Sequence, residues 1–440
     1  MIIGNGKIVT NDPQNPFIEN GGVLIKENII EEVGEFESLK KKYPEEKVIN
    51  VKQKLIMPGM INTHSHIYSA YARGMSVSKP TDNFFHVLEN QWWSLDRKLT
   101  LEDCKLNAYT TYIESIRNGV TTLFDHHSSP NAARGSLFAI AEAAKDLGIR
   151  TSLCYEVSDR DGKDITKDEI QENIEFIKAY NSAEEDMIKG LFGLHASFTL
   201  SDETLYQVKE AMEGIHAGYH VHVAEGIEDQ YDSLKKYGRR VVERLFDFGL
   251  LGNQTIAVHC VHANQRELEI IKETDTSVVH NPMSNMNNAV GCPPVVSMVT
   301  QGIRVGLGTD AYTNDMFESM KVANILQSHH LCDPTVGFGE TKRLQLENNP
   351  AICKNYFQKE VGVLKKGAYA DIITVDYNSY TPLNGENYFG HILFGLTGRM
   401  VNDTIINGKF VMKDREILPV DEEKIFAQST ERAAKIWPYM

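Results

Sequence analysis

Apolar positions along this chain fall into short bursts, and the bursts are separated by longer stretches with helical periodicity. Leu55 to Thr63 is a nearly continuous apolar run. Gly218 to Glu225 alternates polar and apolar positions, with His220 and His222 set between Tyr219, Val221 and Val223. Thr255 to His262 is apolar up to its histidines, and Ile303 to Asp310 is a short β-branched run beside glycines. Val120 to Asp125 and Gly190 to Ala196 read as further strands of the same kind. Helix-like stretches lie between them, at Asp229 to Leu251, at Gln265 to Glu273, and in a longer segment after Asp315. Strands that alternate with helices predict a parallel sheet.

Several of these strands end on residues that bind metals or move protons. His64-Ser65-His66 closes the first run, and alternation along a strand points both imidazoles the same way. Two convergent imidazoles make half of a zinc or iron site. Glu225, His259 and Asp310 close later runs. Functional side chains at the carboxyl ends of several strands predict a (β/α)8 TIM barrel with its chemistry on one face. A catalytic metal needs about three protein ligands and an open position for water. His64, His66 and His222 can supply three nitrogens and Asp310 an oxygen. His222 taken alone reads as a satisfied core histidine; its place at a strand end, three residues before Glu225, makes it a ligand candidate. His220, nearer the strand centre, is expected to support the site instead.

The two ends of the chain read as one unit. Short strand-like runs occur at residues 7–10, 22–26, 29–33 and 48–51, and again at 362–376 and 404–413. Asn407-Gly408 is a hairpin signal, because both residues accept positive φ. Each β segment is too small to bury a core alone. We therefore expect residues 1–55 plus 362–415 to form a composite β-sandwich, residues 56–361 the barrel, and residues 416–440 a helical tail.

Composition narrows the function classes. The chain has 440 residues, 42% of them hydrophobic, enough for a barrel and a smaller unit. Its formal charge of −15 disfavours nucleic acid and anionic membranes as partners. The run Lys40 to Lys47 reads as a solvated surface segment. No apolar run reaches the ~18 residues of a spanning helix, and the first residues lack the pattern of a signal peptide. Six cysteines without a Cys-x-x-Cys suggest reduced thiols in a cytoplasmic protein.

Pro58-Gly59-Met60-Ile61-Asn62-Thr63-His64-Ser65-His66, His222-Val223-Ala224-Glu225, His259, His280-Asn281-Pro282-Met283-Ser284-Asn285 and Gly308-Thr309-Asp310-Ala311 together resemble the ordered motifs of the amidohydrolase superfamily. The resemblance runs from about residue 1 to 415. Within the superfamily the chain is similar to the deaminase and chlorohydrolase branch, which includes guanine deaminase and the triazine hydrolases. It also resembles the SsnA aminohydrolases, through His64 to Gly74 and Asp125-His126-His127. The resemblance implies one divalent ion per chain, zinc or iron, held by His64, His66, His222 and Asp310. It also implies Glu225 as proton shuttle and His259 as the group steadying attacking hydroxide, which is generated from water at the metal. Two-metal relatives carry a bridging lysine at the end of strand 4. Here that end carries His195, and Lys189 lies at the opposite end.

Substrate contacts are read from position. His195 resembles the family's substrate-binding motif, with Leu194 where proline is usual. His126 and His127 follow strand 2; one can face the substrate, or both can serve the loop. Trp92 sits in the segment that covers substrate in relatives, and either it or Trp93 can stack on a flat ring. Asn285 and Ser284 can hold polar ring atoms, and Arg73 can bind or pack. These readings converge on hydrolysis of a C–N bond in a small nitrogen heterocycle, purine-derived or a reduced oxopurine, by deamination or by ring opening. A triazine-type chlorohydrolase and a non-catalytic metal-binding relative are the alternatives. A homodimer or higher homo-oligomer is expected.

Overall fold

The structure is a computed structural model that describes residues 1–440. Eight parallel strand positions carry the site: β1 (Met60–Ser65), β2 (Val120–His127), β3 (Arg150–Tyr155), β4 (Ile188–Gly190 and Phe192–Ala196), β5 (Tyr219–Val223), β6 (Ile256–His259), β7 (Ser277–His280) and β8 (Val305–Leu307). Strand β4 is interrupted at Leu191. Its first piece pairs with β3 in one parallel sheet, and its second pairs with β5 in the other. Parallel bridges at Val157–Leu194 and Ser65–Asp310 join the sheet edges on both sides. The eight strands therefore follow one another in cyclic order, the arrangement of a TIM-type barrel. Nearly every strand residue is buried, as expected of a parallel sheet covered on both faces.

Helices run between the strands and cover them. Gln265–Glu273 forms a helix with the bounds read from its periodicity, and Met316–Leu331 begins directly after its Asp315 cap. The stretch from Asp229 to Leu251 differs from the single helix its pattern predicts. It forms two helices, Ile227–Tyr237 and Val241–Asp247, because Gly238 adopts a left-handed φ of 65° that ends the first.

The chain termini combine in one nine-stranded sheet. Leu55–Pro58 is its joint: Ile56 pairs in parallel with Ile8, and the strand pairs antiparallel with Ile372–Val375. These ladders join strands from both ends of the chain in one hydrogen-bonded sheet. Its core draws on both ends of the chain, with Ile3, Val23 and Ile30 packed in one cluster with Leu364, Ile372 and Ile405. The passage into the barrel falls at Gly59, where an added Cβ would stand 2.1 Å from Thr121 Oγ1. Asn407 and Gly408, at φ 51° and 76°, turn the hairpin between Val401–Ile406 and Lys409–Lys413.

A fully buried ion pair fastens the two units together. Arg150 at the start of β3 places Nε 3.0 Å from Asp371 Oδ2, and Asp371 also accepts from the Asn407 amide. The C-terminal helix Glu422–Ile436 binds the helix Leu101–Arg117 through Arg432–Asp103 and Glu422–Arg117 pairs. No helix is long and apolar enough to cross a membrane.

Candidate active site

The site forms because the ends of β1 and β8 are tied together. The carbonyl of His64 accepts from both the Thr309 and Asp310 amides, each at 3.0 Å. Only glycine fits before them. A Cβ on Gly308 would meet Asn281 Oδ1 at 2.4 Å and the His64 carbonyl at 2.9 Å. The backbone at Asp310 (φ 57°), Ala224 (φ 47°) and His259 (φ 73°) is left-handed, which is costly for these residue types. Each of these turns lies at or next to a residue of the site.

Three imidazoles converge with one nitrogen each. His66 Nδ1 donates to the His126 carbonyl at 2.6 Å, and His222 Nδ1 donates to the His195 carbonyl at 3.0 Å. A carbonyl only accepts, so in its neutral form each ring has spent its hydrogen and presents a bare Nε2 lone pair. Those two Nε2 atoms stand 3.2 Å apart. Two lone pairs so close repel unless a cation lies beside them. His64 places Nδ1 2.9 Å from His220 Nε2, while its own Nε2 is buried without a partner. His66 Nε2 lies 3.5 Å from Asp310 Oδ1. Burial holds the His64 and His222 imidazoles well below their usual range, which favours their neutral, lone-pair-bearing forms. This donor set of three nitrogens and a carboxylate fits one divalent cation. Lys189 cannot add a second position, because it is paired with Asp186 at the amino end of β4.

The proton-moving groups stand beside these donors. His259 Nε2 lies 3.4 Å from both Glu225 Oε2 and Asp310 Oδ2. Asn285 Nδ2 meets His259 Nδ1 at 2.8 Å, which leaves the ring hydrogen on Nε2, directed at the two carboxylates. Burial lowers His259 to about 4, so this ring is a neutral donor. Glu225 Oε1 accepts from Asn288 at 3.1 Å. Burial first, and Asp310 second, raise the Glu225 carboxyl well above the carboxylate range. Asp229 steadies the turn that presents Glu225 by accepting from the Ala224 and Phe198 amides, and burial pushes it up to about 7.

Other residues singled out in the sequence fall in different places. Trp92 and His195 line a cavity that opens onto His66, His222, Glu225 and Asp310. Trp93, Tyr68 and Phe198 share its wall. His126, His127 and Asn285 do not line it. The carbonyl of His126 holds His66, and its ring packs against His66 and His222. His127 turns the other way, onto Ser129 and Cys104. Alternation separates the two histidines as expected, but it sends neither to the cavity. Asn285 serves His259 rather than a substrate. Ser284, also buried, bonds to Asn288.

The sequence reading missed Glu156, which lines the cavity at 2% side-chain exposure, and Asn288, which holds Glu225. The signal for Glu156 was present, since it directly follows the apolar strand β3. Asn288 lies one turn beyond Ser284 and Asn285, past the motif that drew attention.

A parallel barrel with a cation-fitting cluster of histidines and a carboxylate at its strand ends, flanked by a second buried carboxyl, defines a metal-dependent hydrolase. The chain belongs to the amidohydrolase family, whose model matches residues 55–411. It is 31% identical to the 5'-deoxyadenosine deaminase of Methanosarcina mazei over 99% of this chain and 98% of the relative. It is 28% identical to the 5-methylthioadenosine/S-adenosylhomocysteine deaminase of Caldanaerobacter subterraneus subsp. tengcongensis, over 99% and 98%. Among solved structures, a zinc-bound adenosine deaminase from Xanthomonas campestris superposes with a TM-score of 0.88 at 22% identity, covering 99% of this chain and 98% of that one. The chain is a hydrolase acting on carbon–nitrogen bonds other than peptide bonds.

Proposed function

We propose that this protein deaminates an amino-substituted purine derivative by hydrolysis, with one zinc ion held by His64, His66, His222 and Asp310. The observation that carries this reading is the arrangement at His259, whose Nε2 lies 3.4 Å from the carboxyls of both Glu225 and Asp310. Deaminases among the full-length relatives support the purine assignment. The bound ion supplies Lewis acidity that makes a water molecule a usable nucleophile near neutral pH.

The residues divide the remaining work. Asp310 accepts the proton released by the attacking water. The His259 Nε2–H donates to the oxygen that adds to the ring carbon, and Asn285 keeps that hydrogen in place. Glu225, protonated in its buried position, gives its proton to the adjacent ring nitrogen. The tetrahedral carbon then expels its amino group, and protons relayed through the carboxyls leave it as ammonia. The aromatic wall of Trp92, Trp93 and Phe198 excludes water and offers faces for a flat ring.

The test is a panel of aminopurine bases and nucleosides, including 5'-deoxyadenosine, incubated with zinc-loaded protein. Ammonia release with an intact-ring ultraviolet spectrum is the expected result. An opened ring would make the protein a cyclic amide or amidine hydrolase. Chloride release from chlorinated analogues, without ammonia from any aminopurine, would make it a chlorohydrolase.

A further inference from the structure

Glu156 is a buried carboxyl inside the catalytic cavity with no part in the steps above. Its amide donates to the His127 carbonyl at 2.9 Å, which fixes the residue at the end of β3. Its Oε2 lies 3.0 Å from His126 Nδ1. His126 Nε2 in turn lies 3.0 Å from the His220 carbonyl, which only accepts, so the His126 hydrogen sits on Nε2. One hydrogen is shared between His126 Nδ1 and Glu156 Oε2, so that oxygen is committed to His126. The other oxygen, Oε1, makes no hydrogen bond within the protein and is left to the cavity.

Glu156 and Glu225 flank the donor set through different residues. Glu156 groups with His66, His126 and His222, whereas Glu225 groups with His259 and Asp310. A substrate carbon attacked between them would have Glu225 toward one neighbouring ring atom and Glu156 toward the other. Glu225 delivers a proton, so its neighbour is a ring nitrogen with a lone pair. Glu156 presents an acceptor, so its neighbour carries a hydrogen. The departing amine cannot fill this role, because it leaves.

We propose that Glu156 is a specificity-determining residue whose Oε1 accepts a hydrogen bond from a ring N–H adjacent to the attacked carbon. The substrate class is then a 2-amino-oxopurine edge, in which the amino-bearing carbon stands between a ring nitrogen acceptor and a lactam N–H. Adenosine-type rings place carbon at that second position. This inference rests on the deaminase reading and narrows it. It also separates this chain from relatives named for adenosine derivatives.

The experiment compares guanine with 1-methylguanine, which lacks the N–H, on zinc-loaded wild type, Glu156→Gln and Glu156→Leu. Wild type should prefer guanine by about 10- to 100-fold in kcat/KM, the scale of one unpaired polar group. Glu156→Gln can donate to His126 and keep an acceptor in the cavity, so it should retain that preference and its zinc. Glu156→Leu should keep its zinc but bring the ratio close to one, mainly through KM. An unchanged ratio in zinc-loaded Glu156→Leu would overturn the proposal. So would loss of zinc or of turnover in Glu156→Gln, since either would make Glu156 a ligand or an ionised catalytic group. If wild type turns over neither compound, calorimetric binding of the same pair to the three proteins still decides the role of Glu156, while the deaminase reading alone fails.

Discussion

His66 and His222 face each other through Nε2 atoms 3.2 Å apart, and neither ring has a hydrogen left to place between them. In the absence of a cation this contact is repulsive and works against the packing of β1 on β5. A bound ion therefore acts on the fold as well as on the chemistry, because binding to the native state alone adds to its stability.

Metal removal should show this directly. Elemental analysis is expected to give about one ion per chain, and chelation should lower the melting temperature while abolishing activity. His222→Ala should reproduce both effects. Two ions per chain in fully active protein would contradict the single donor set.

Glu225 and the ligands should separate by metal content. Glu225→Gln removes the proton but leaves His64, His66, His222 and Asp310 in place. Turnover should fall by roughly 10²-fold or more, the usual scale for a general acid–base, with the ion retained. A metal-free Glu225→Gln would place Glu225 among the ligands.

Acid should destabilise the fold through its buried histidines. Burial lowers His127 and His280 to about 3 each, against an ordinary value near 6.5. Below pH 6.5 the unfolded chain takes up protons that the folded state refuses. Their contribution is therefore fully present above pH 6.5 and lost progressively as the pH falls toward 3, on the order of 1 kcal/mol per pH unit for each group. Urea midpoints at pH 7.5 and 5.5 should differ less in His127→Gln than in wild type. An equal difference would mean that His127 is charged in the native protein.

The joint between barrel and sheet should depend on Arg150. Both partners of the Arg150–Asp371 pair are fully buried, so Arg150→Met leaves an uncompensated carboxylate between the units. A loss of about 3–5 kcal/mol is expected. Arg150→Met combined with Asp371→Asn should recover part of it, as measured by denaturant unfolding. A single variant as stable as wild type would show that the pair does not hold the units together.

The convergence of the candidate donor residues could be read in the sequence because it depends on local rules. Two residues apart on a strand, His64 and His66 share a face, and His222 and Asp310 stand where their runs end. The barrel followed from strands alternating with helices. Local rules also separated His126 from His127. They could not say what either ring would meet, because the strand β2 carries both inward-facing and outward-facing positions fully buried.

What the sequence determined by itself was therefore the order of the strands, the residues at their ends, and the types of group that converge there. Only the tertiary structure decided which lone pairs stayed free. The carbonyls of His126 and His195 orient His66 and His222, Asn285 sets the His259 hydrogen, and Glu156 enters the cavity from β3. Each of these is a contact between strands that are neighbours in the barrel or face one another across it, often far apart in the chain. Periodicity reports which side a residue faces; the partner waiting there is fixed only when the sheet edges meet.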